Sequence, residues 1–174
     1  GELKKAKEDY DRAVQLDATS AVAVYSRGSV WQDMGVFDKA LADLNKAIEL
    51  NPEHELAIYR RGVIRFDTGE HQQAIDDFSK AIRLEPTEAL TWYHRARSRA
   101  TLKDYAKALE DYNEAIRLDP TFVEYHTARG TLWYDQGEME KALRDFNEAI
   151  RVNPSSASGY YSRGCVRQDT GEVD

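Results

Sequence analysis

Residues 25–35 read YSRGSVWQDMG, and residues 161–171 read YSRGCVRQDTG, identical at eight of eleven positions. The two stretches lie 136 residues apart, which is four times 34. The same pattern stands at each intervening multiple: YRRGVIRFDTG from Tyr59, YHRARSRATLK from Tyr93 and TARGTLWYDQG from Thr127. A second pattern fills the gaps, as AKEDYDRAVQLDA from Ala6, ALADLNKAIELNP from Ala40, AIDDFSKAIRLEP from Ala74, ALEDYNEAIRLDP from Ala108 and ALRDFNEAIRVNP from Ala142. Complete units therefore span 21–54, 55–88, 89–122 and 123–156, with the second half of a unit at 1–20 and the first half of another at 157–174. A fixed period of this size marks stacked supersecondary units that together make one array.

Each unit predicts two helices. In the second half Ala74, Ile75, Phe78, Ala81 and Ile82 recur at helical spacing, with Asp76, Lys80 and Arg83 on the opposite side. Gly35, Gly69, Gly137 and Gly171 stand where the first helix must end, a place that suits a left-handed cap. Pro52, Pro86, Pro120 and Pro154 close the second helix, and Thr87, Thr121 and Ser155 are expected to cap the next. Alanines at two fixed positions, Ala40 and Ala47 in the first complete unit, permit close helix approach. Tyr10, Phe78, Tyr112 and Phe146 fill the remaining space.

The chain of 174 residues carries a net charge of -7 and one cysteine. A disulfide framework is excluded, and no metal-ligand spacing is present. Cys165 occupies a position held elsewhere by Ser29, Val63, Arg97 and Thr131, so it reads as a small helix residue. No apolar run reaches the length of about 18 residues that a bilayer span requires. A soluble chain compatible with the cytoplasm is expected. The four histidines share no repeat position, and no glycine-rich phosphate loop appears, so neither an enzyme nor a cofactor is expected.

These units resemble the tetratricopeptide repeat (TPR) family, on the 34-residue period and on Gly62, Ala74, Phe78 and Pro86 of the second unit. Two positions depart from the family pattern. Arginine precedes the small residue in every copy (Arg27, Arg61, Arg95, Arg129 and Arg163), and the family's tyrosine three positions later becomes Trp31, Arg65, Arg99, Trp133 and Arg167. The resemblance implies an all-α, right-handed superhelical solenoid of antiparallel helix pairs, whose first helices line a groove that holds a partner's peptide segment. The function implied is a non-catalytic protein-interaction scaffold. A regulatory or targeting segment of a larger enzyme, or a helical-repeat RNA-binding module, are the alternatives.

Carried over from the family, the groove positions are Tyr25, Ser29, Gln32 and Asp33; Tyr59, Arg60, Val63, Phe66 and Asp67; Tyr93, His94 and Arg97; and Tyr134, Asp135 and Tyr161. One strip of this surface is aromatic and another acidic. The lysine and asparagine clamp with which some family members hold a terminal carboxylate is missing, since Tyr25, Ser29, Arg60, Leu90 and His94 stand at those positions. An extended internal segment of a protein partner, with basic residues toward the aspartates, is the expected ligand.

Two further expectations concern charge. Asp9, Asp43, Asp77, Asp111 and Asp145 recur with the arginines and should pair with them, within a unit or between units. The run RARSR (Arg95, Arg97 and Arg99) is a basic cluster whose members are expected to point apart, which with the net charge of -7 argues against nucleic acid. Finally, Leu3, Ala6, Tyr10, Ala13 and Val14 at one end, and Tyr160 and Gly164 at the other, form apolar faces through which weak head-to-tail self-association is expected.

Overall fold

A computed structural model describes residues 1–171. Ten α-helices in chain order account for the described residues: α1 Glu2–Leu16, α2 Ala21–Asp33, α3 Phe37–Leu50, α4 Glu55–Asp67, α5 His71–Leu84, α6 Ala89–Thr101, α7 Tyr105–Leu118, α8 Val123–Asp135, α9 Met139–Val152 and α10 Ala157–Thr170. They fall into two compact units, one of residues Gly1–Pro86 with α1 to α5, the other from Thr87 onward with α6 to α10.

Each first helix turns into its second through the residues the period singled out. Gly35, Gly69, Gly137 and Gly171 have φ between +73° and +85°. The residue after each of the first three donates its N–H back to a carbonyl five residues earlier, as Val36 does to Trp31 at 2.9 Å. Lys103 takes the glycine's place in the third repeat and the glycine's backbone with it, at φ 63°. Only glycine adopts that region without a steric cost.

The predicted caps are displaced by one residue. Glu88, Phe122 and Ser156, rather than Thr87, Thr121 and Ser155, precede α6, α8 and α10. Thr121 and Ser155 instead donate their backbone N–H to Asp119 and Asn153 side chains at 2.9 Å, as Thr19 does to Asp17. The polar residue that ends each second helix thus builds the turn and leaves the hydroxyl residue no capping role. Side-chain caps form at Ser20 and Ser156, which accept from the backbone of Ala23 and Gly159.

In the first unit Val24, Ala40, Leu44, Ala47, Ala57 and Ile64 pack into one core. In the second, Ala96, Ala108, Tyr112 and Leu132 form one cluster and Ala142, Phe146 and Val166 another. The alanines are fully buried, so a larger side chain has nowhere to go. The same holds for two of the first-helix glycines. A Cβ on Gly62 would lie 2.8 Å from the Phe78 ring, and one on Gly130 would lie 2.7 Å from Phe146.

The periodic charges close within repeats. Arg27, Arg61, Arg95 and Arg129 each fork onto the aspartate 16 residues later, Nε to one carboxylate oxygen and Nη2 to the other, at 2.5–2.9 Å. Asp43, Asp77, Asp111 and Asp145 are 8, 3, 1 and 5% exposed, so these are buried, bidentate pairs. The remaining Nη1 reaches the preceding repeat. Arg61 donates to Asn45 at 2.7 Å, Arg129 to Asn113 at 2.6 Å and Arg163 to Asn147 at 2.7 Å, while Arg27 lies 3.5 Å from Asp11. One guanidinium therefore ties its own helix pair together and fastens that pair to its neighbour.

Candidate peptide-binding face

The side chains expected to line a groove lie on first helices, so their environment differs between the two compact units. In the first unit Arg60 of α4 reaches across to α2. Its Nε donates to the Tyr25 hydroxyl at 3.2 Å, and its Nη1 donates to Gln32 at 3.0 Å and lies 3.5 Å from Asp33. Tyr25 stacks at 4.6 Å on His54, whose imidazole is lowered by burial. Tyr59 lies 6.0 Å from Phe78, and Phe66 lies 5.2 Å from His71. Ser29 and Val63 are half-buried, and Asp67 is exposed. Of the sequence-predicted residues of this unit, Tyr25, Gln32 and Asp33 meet around Arg60, which occupies all three.

In the second unit Tyr93, half-buried, packs against the core. Its ring lies 5.0 Å from Tyr125, 5.4 Å from His94 and 6.1 Å from Tyr112, with the Arg97 guanidinium 5.6 Å above it. Burial raises the Tyr93 and Tyr112 hydroxyls and pushes Tyr125 up to about 12. Burial, assisted by the Arg97 charge, holds the His94 imidazole down to about 4. Tyr125 was missed in the sequence because its repeat position carries Ala23, Ala57 and Thr91 elsewhere. Its ring lies 4.6 Å from Phe122, while Thr127, the one copy that lacks the tyrosine, donates to its own helix at Val123.

Two clefts open between successive first helices of this unit. One, of about 210 Å³, is lined by Arg97, Ala100, Tyr112, Ala128, Thr131, Leu132 and Asp135. The other, of about 280 Å³, is lined by Thr131, Tyr134, Asp135, Phe146, Tyr161, Ser162 and Cys165. They share Thr131 and Asp135, both exposed, so they form a continuous strip across α6, α8 and α10. Tyr161 is 76% exposed at its edge. The Tyr134 hydroxyl donates to Asp169, leaving Asp135 as the carboxylate on the strip with no ion pair among the described residues.

The basic run behaves otherwise than expected. Arg95 and Arg99 are four residues apart, one helical turn, and converge on a single carboxylate: Arg99 Nη1 donates to Asp111 at 2.7 Å beside the Arg95 fork. Arg65 joins Arg61 on Asp77 in the same way. Of the run RARSR, Arg97 is the member turned to the clefts.

Among the described residues no group of three or more His, Cys, Asp or Glu side chains could hold a metal ion, and no helix is long and apolar enough to cross a membrane. Paired helices at a 34-residue period, with alanine and glycine contacts at fixed places, define a tandem helical-repeat protein. The chain belongs to the tetratricopeptide repeat family, whose "Tetratricopeptide repeat" models match residues 21–54, 56–88 and 89–122 and whose "TPR repeat" model matches 130–171. No curated protein matches the sequence.

Solved structures agree in fold. MamA from Desulfovibrio magneticus RS-1 is 19% identical with a TM-score of 0.84, over 90% of this chain and 89% of that one. YrrB, described as a TPR protein with an unusual peptide-binding site, is 21% identical with a TM-score of 0.82, over 97% and 87%. The first TPR domain of Spaghetti (RPAP3), bound to the HSP90 peptide SRMEEVD, is 22% identical with a TM-score of 0.64, over 67% of this chain and 93% of that one.

Proposed function

We propose that this chain is a non-catalytic protein-interaction scaffold that holds an extended peptide segment of a partner on its first-helix face, along the strip from Arg97 to Tyr161. The observation that carries the proposal is the pair of clefts meeting at Thr131 and Asp135, floored by the Tyr112 and Phe146 packing aromatics. Peptide binding by YrrB and by the RPAP3 domain supports the same use of the fold. Asp135 favours a lysine or arginine of the segment, while Arg97 favours a carboxylate one cleft away; exposed Tyr161 offers a ring for apolar contact at little entropic cost. An internal segment fits better than a chain terminus, because the clamp positions hold Tyr25, Ser29, Arg60, Leu90 and His94. Against the RNA-binding alternative stand the net charge of -7 and the use of Arg95 and Arg99 by Asp111.

Tyr93, being packed against the core, cannot serve as a clean probe of binding; Tyr161 and Asp135 can. Random peptides displayed on phage, selected on the wild-type chain and counter-screened on the Tyr161→Ala, Asp135→Lys double variant, test the proposal. Enriched peptides carrying a basic residue should lose at least tenfold in affinity for the variant. Enrichment of peptides that bind both proteins equally, or no enrichment, would reject the face.

A further inference from the structure

The cleft between α6 and α8 and the cleft between α8 and α10 are the same place one period apart. Ala100, Tyr112 and Ala128 of the first correspond to Tyr134, Phe146 and Ser162 of the second. Two periods before Ala128, in the first unit, the same position is Arg60. No other copy carries a guanidinium there, since Ser26, His94, Ala128 and Ser162 hold the remaining ones. Ala128 and Ser162 leave their clefts open, whereas Arg60 of α4 lays its side chain across α2.

The contacts of Arg60 show what group this place holds. Its Nε takes the Tyr25 hydroxyl, and its Nη1 takes Gln32 with Asp33 beside it, so two nitrogens serve three acceptors spread along one helix. A planar guanidinium spans such a set, and the single nitrogen of an ammonium does not. The Arg60 side chain keeps 30% of its surface in solvent, so these acceptors are reached from outside the core. Three periods on, Gln32 and Asp33 become Tyr134 and Asp135. Asp135 is exposed in the cleft with no ion pair among the described residues. The Tyr134 hydroxyl donates to Asp169 and keeps its lone pairs free to accept, with that second carboxylate behind it. The cleft between α6 and α8 lacks this set, because Ala100 and Thr101 stand in place of Gln32 and Asp33, and the cation Arg97 lines it.

We infer that the cleft between α8 and α10 is a seat for an arginine side chain of the partner, and that Arg60 is an internal copy of that ligand group. The guest guanidinium enters over Ser162 and donates to Tyr134 and Asp135, as Arg60 donates to Gln32 and lies against Asp33. This rests on the first-helix face being the peptide-binding face, and it narrows the basic residue that Asp135 favours to arginine. The corresponding place in the first unit is closed to such a guest because Arg60 already fills it.

Two end-blocked glycine pentapeptides, one with a central arginine and one with a central lysine, test this when titrated into the isotope-labelled chain and followed by NMR. The arginine peptide should shift the amides of Tyr134, Asp135 and Ser162 and bind roughly tenfold more tightly than the lysine peptide. Ser162→Arg supplies in cis what Arg60 supplies in the first unit and should abolish that binding. Asp135→Asn keeps the shape, removes the charge and should weaken it by roughly tenfold. Arg60→Ala frees Tyr25, Gln32 and Asp33 and should add a second set of shifts there. Equal binding of the two peptides, or a Ser162→Arg or Asp135→Asn variant that binds as tightly as the wild type, would overturn the inference. The display-selected peptides keep this result apart from the face itself. If they lose affinity on the Tyr161→Ala, Asp135→Lys variant but carry no arginine, the face stands and the arginine seat falls. If the arginine pentapeptide binds at Asp135 while display enriches nothing, the seat stands and the wider face falls.

Discussion

The third and fourth repeats share one compact unit and one helix-pair geometry, yet they pair their buried aspartates by different means. In the third, Asp111 is clasped by both Arg95 and Arg99. In the fourth, Asp145 has Arg129 as its ion-pair partner, and Trp133, at the position of Arg99, lies instead under the Lys141 ammonium at 4.4 Å. A cleft of about 290 Å³ lies there, lined by Asn113, Arg129, Trp133, Lys141, Arg144 and Asp145. The first unit repeats the contrast, with Arg61 and Arg65 on Asp77 in one repeat, and in the other Arg27 on Asp43 with Trp31 between Lys7 and Lys39. A buried carboxylate needs at least one geometrically ideal cation, and a second one is a reserve against losing the first.

That contrast breaks most visibly when the first arginine is removed. Arg129→Ala leaves Asp145 buried without a counter-ion and should destabilise by about 3–5 kcal/mol. Arg95→Ala leaves Arg99 in place, so the loss should be nearer the worth of charge-assisted hydrogen bonds, about 1.5–3 kcal/mol. Urea denaturation of both variants checks the ordering. Equal losses would mean that Arg99 does not substitute for Arg95, and Arg95→Ala with Arg99→Ala should then add nothing.

The second difference is titratable. His94 of the third repeat is held neutral down to about pH 4, while an unfolded histidine protonates near its ordinary value of 6.5. A depressed folded value means that the unfolded chain binds the extra proton. The stability His94 allows is therefore fully present above pH 6.5 and is lost as pH falls toward 4, with a slope of up to about 1.4 kcal/mol per pH unit. The His94→Gln variant should flatten this part of the stability profile. An unchanged slope in that variant would place the acid sensitivity elsewhere. The equivalent position of the fourth repeat holds Ala128.

The smallest effect lies at the turn. Lys103 bears a left-handed conformation that Gly137 bears in the fourth repeat without penalty. Lys103→Gly should stabilise the third repeat by about 1 kcal/mol, and Gly137→Lys should cost the fourth a similar amount. Midpoints of thermal unfolding check the pair, and shifts of the same sign in both would refute the turn as the cause.

How much of this was legible beforehand follows from the range over which each feature is decided. The 34-residue period, the alternation of helices, the turn at each glycine and the buried alanines depend on neighbours within one or two helical turns, and the repeated sequence states each of them several times. Matching signs of charge also showed that arginines and aspartates would pair. Which carboxylate each arginine takes depends on how two helices face one another, and a period of 34 is the same for a pair closed within a repeat as for one closed between repeats. Packing decided it, with the fork inside the repeat and the third nitrogen to the preceding one, and it turned Arg99 onto Asp111. The aromatic residues were separated in the same way. Tyr59, Tyr93 and Tyr161 share one sequence position, but Tyr93 meets Tyr125 and packs against the core, whereas Tyr161 stands in solvent. A side chain's identity travels with the sequence, but its surroundings come from neighbouring helices, where the copies no longer agree.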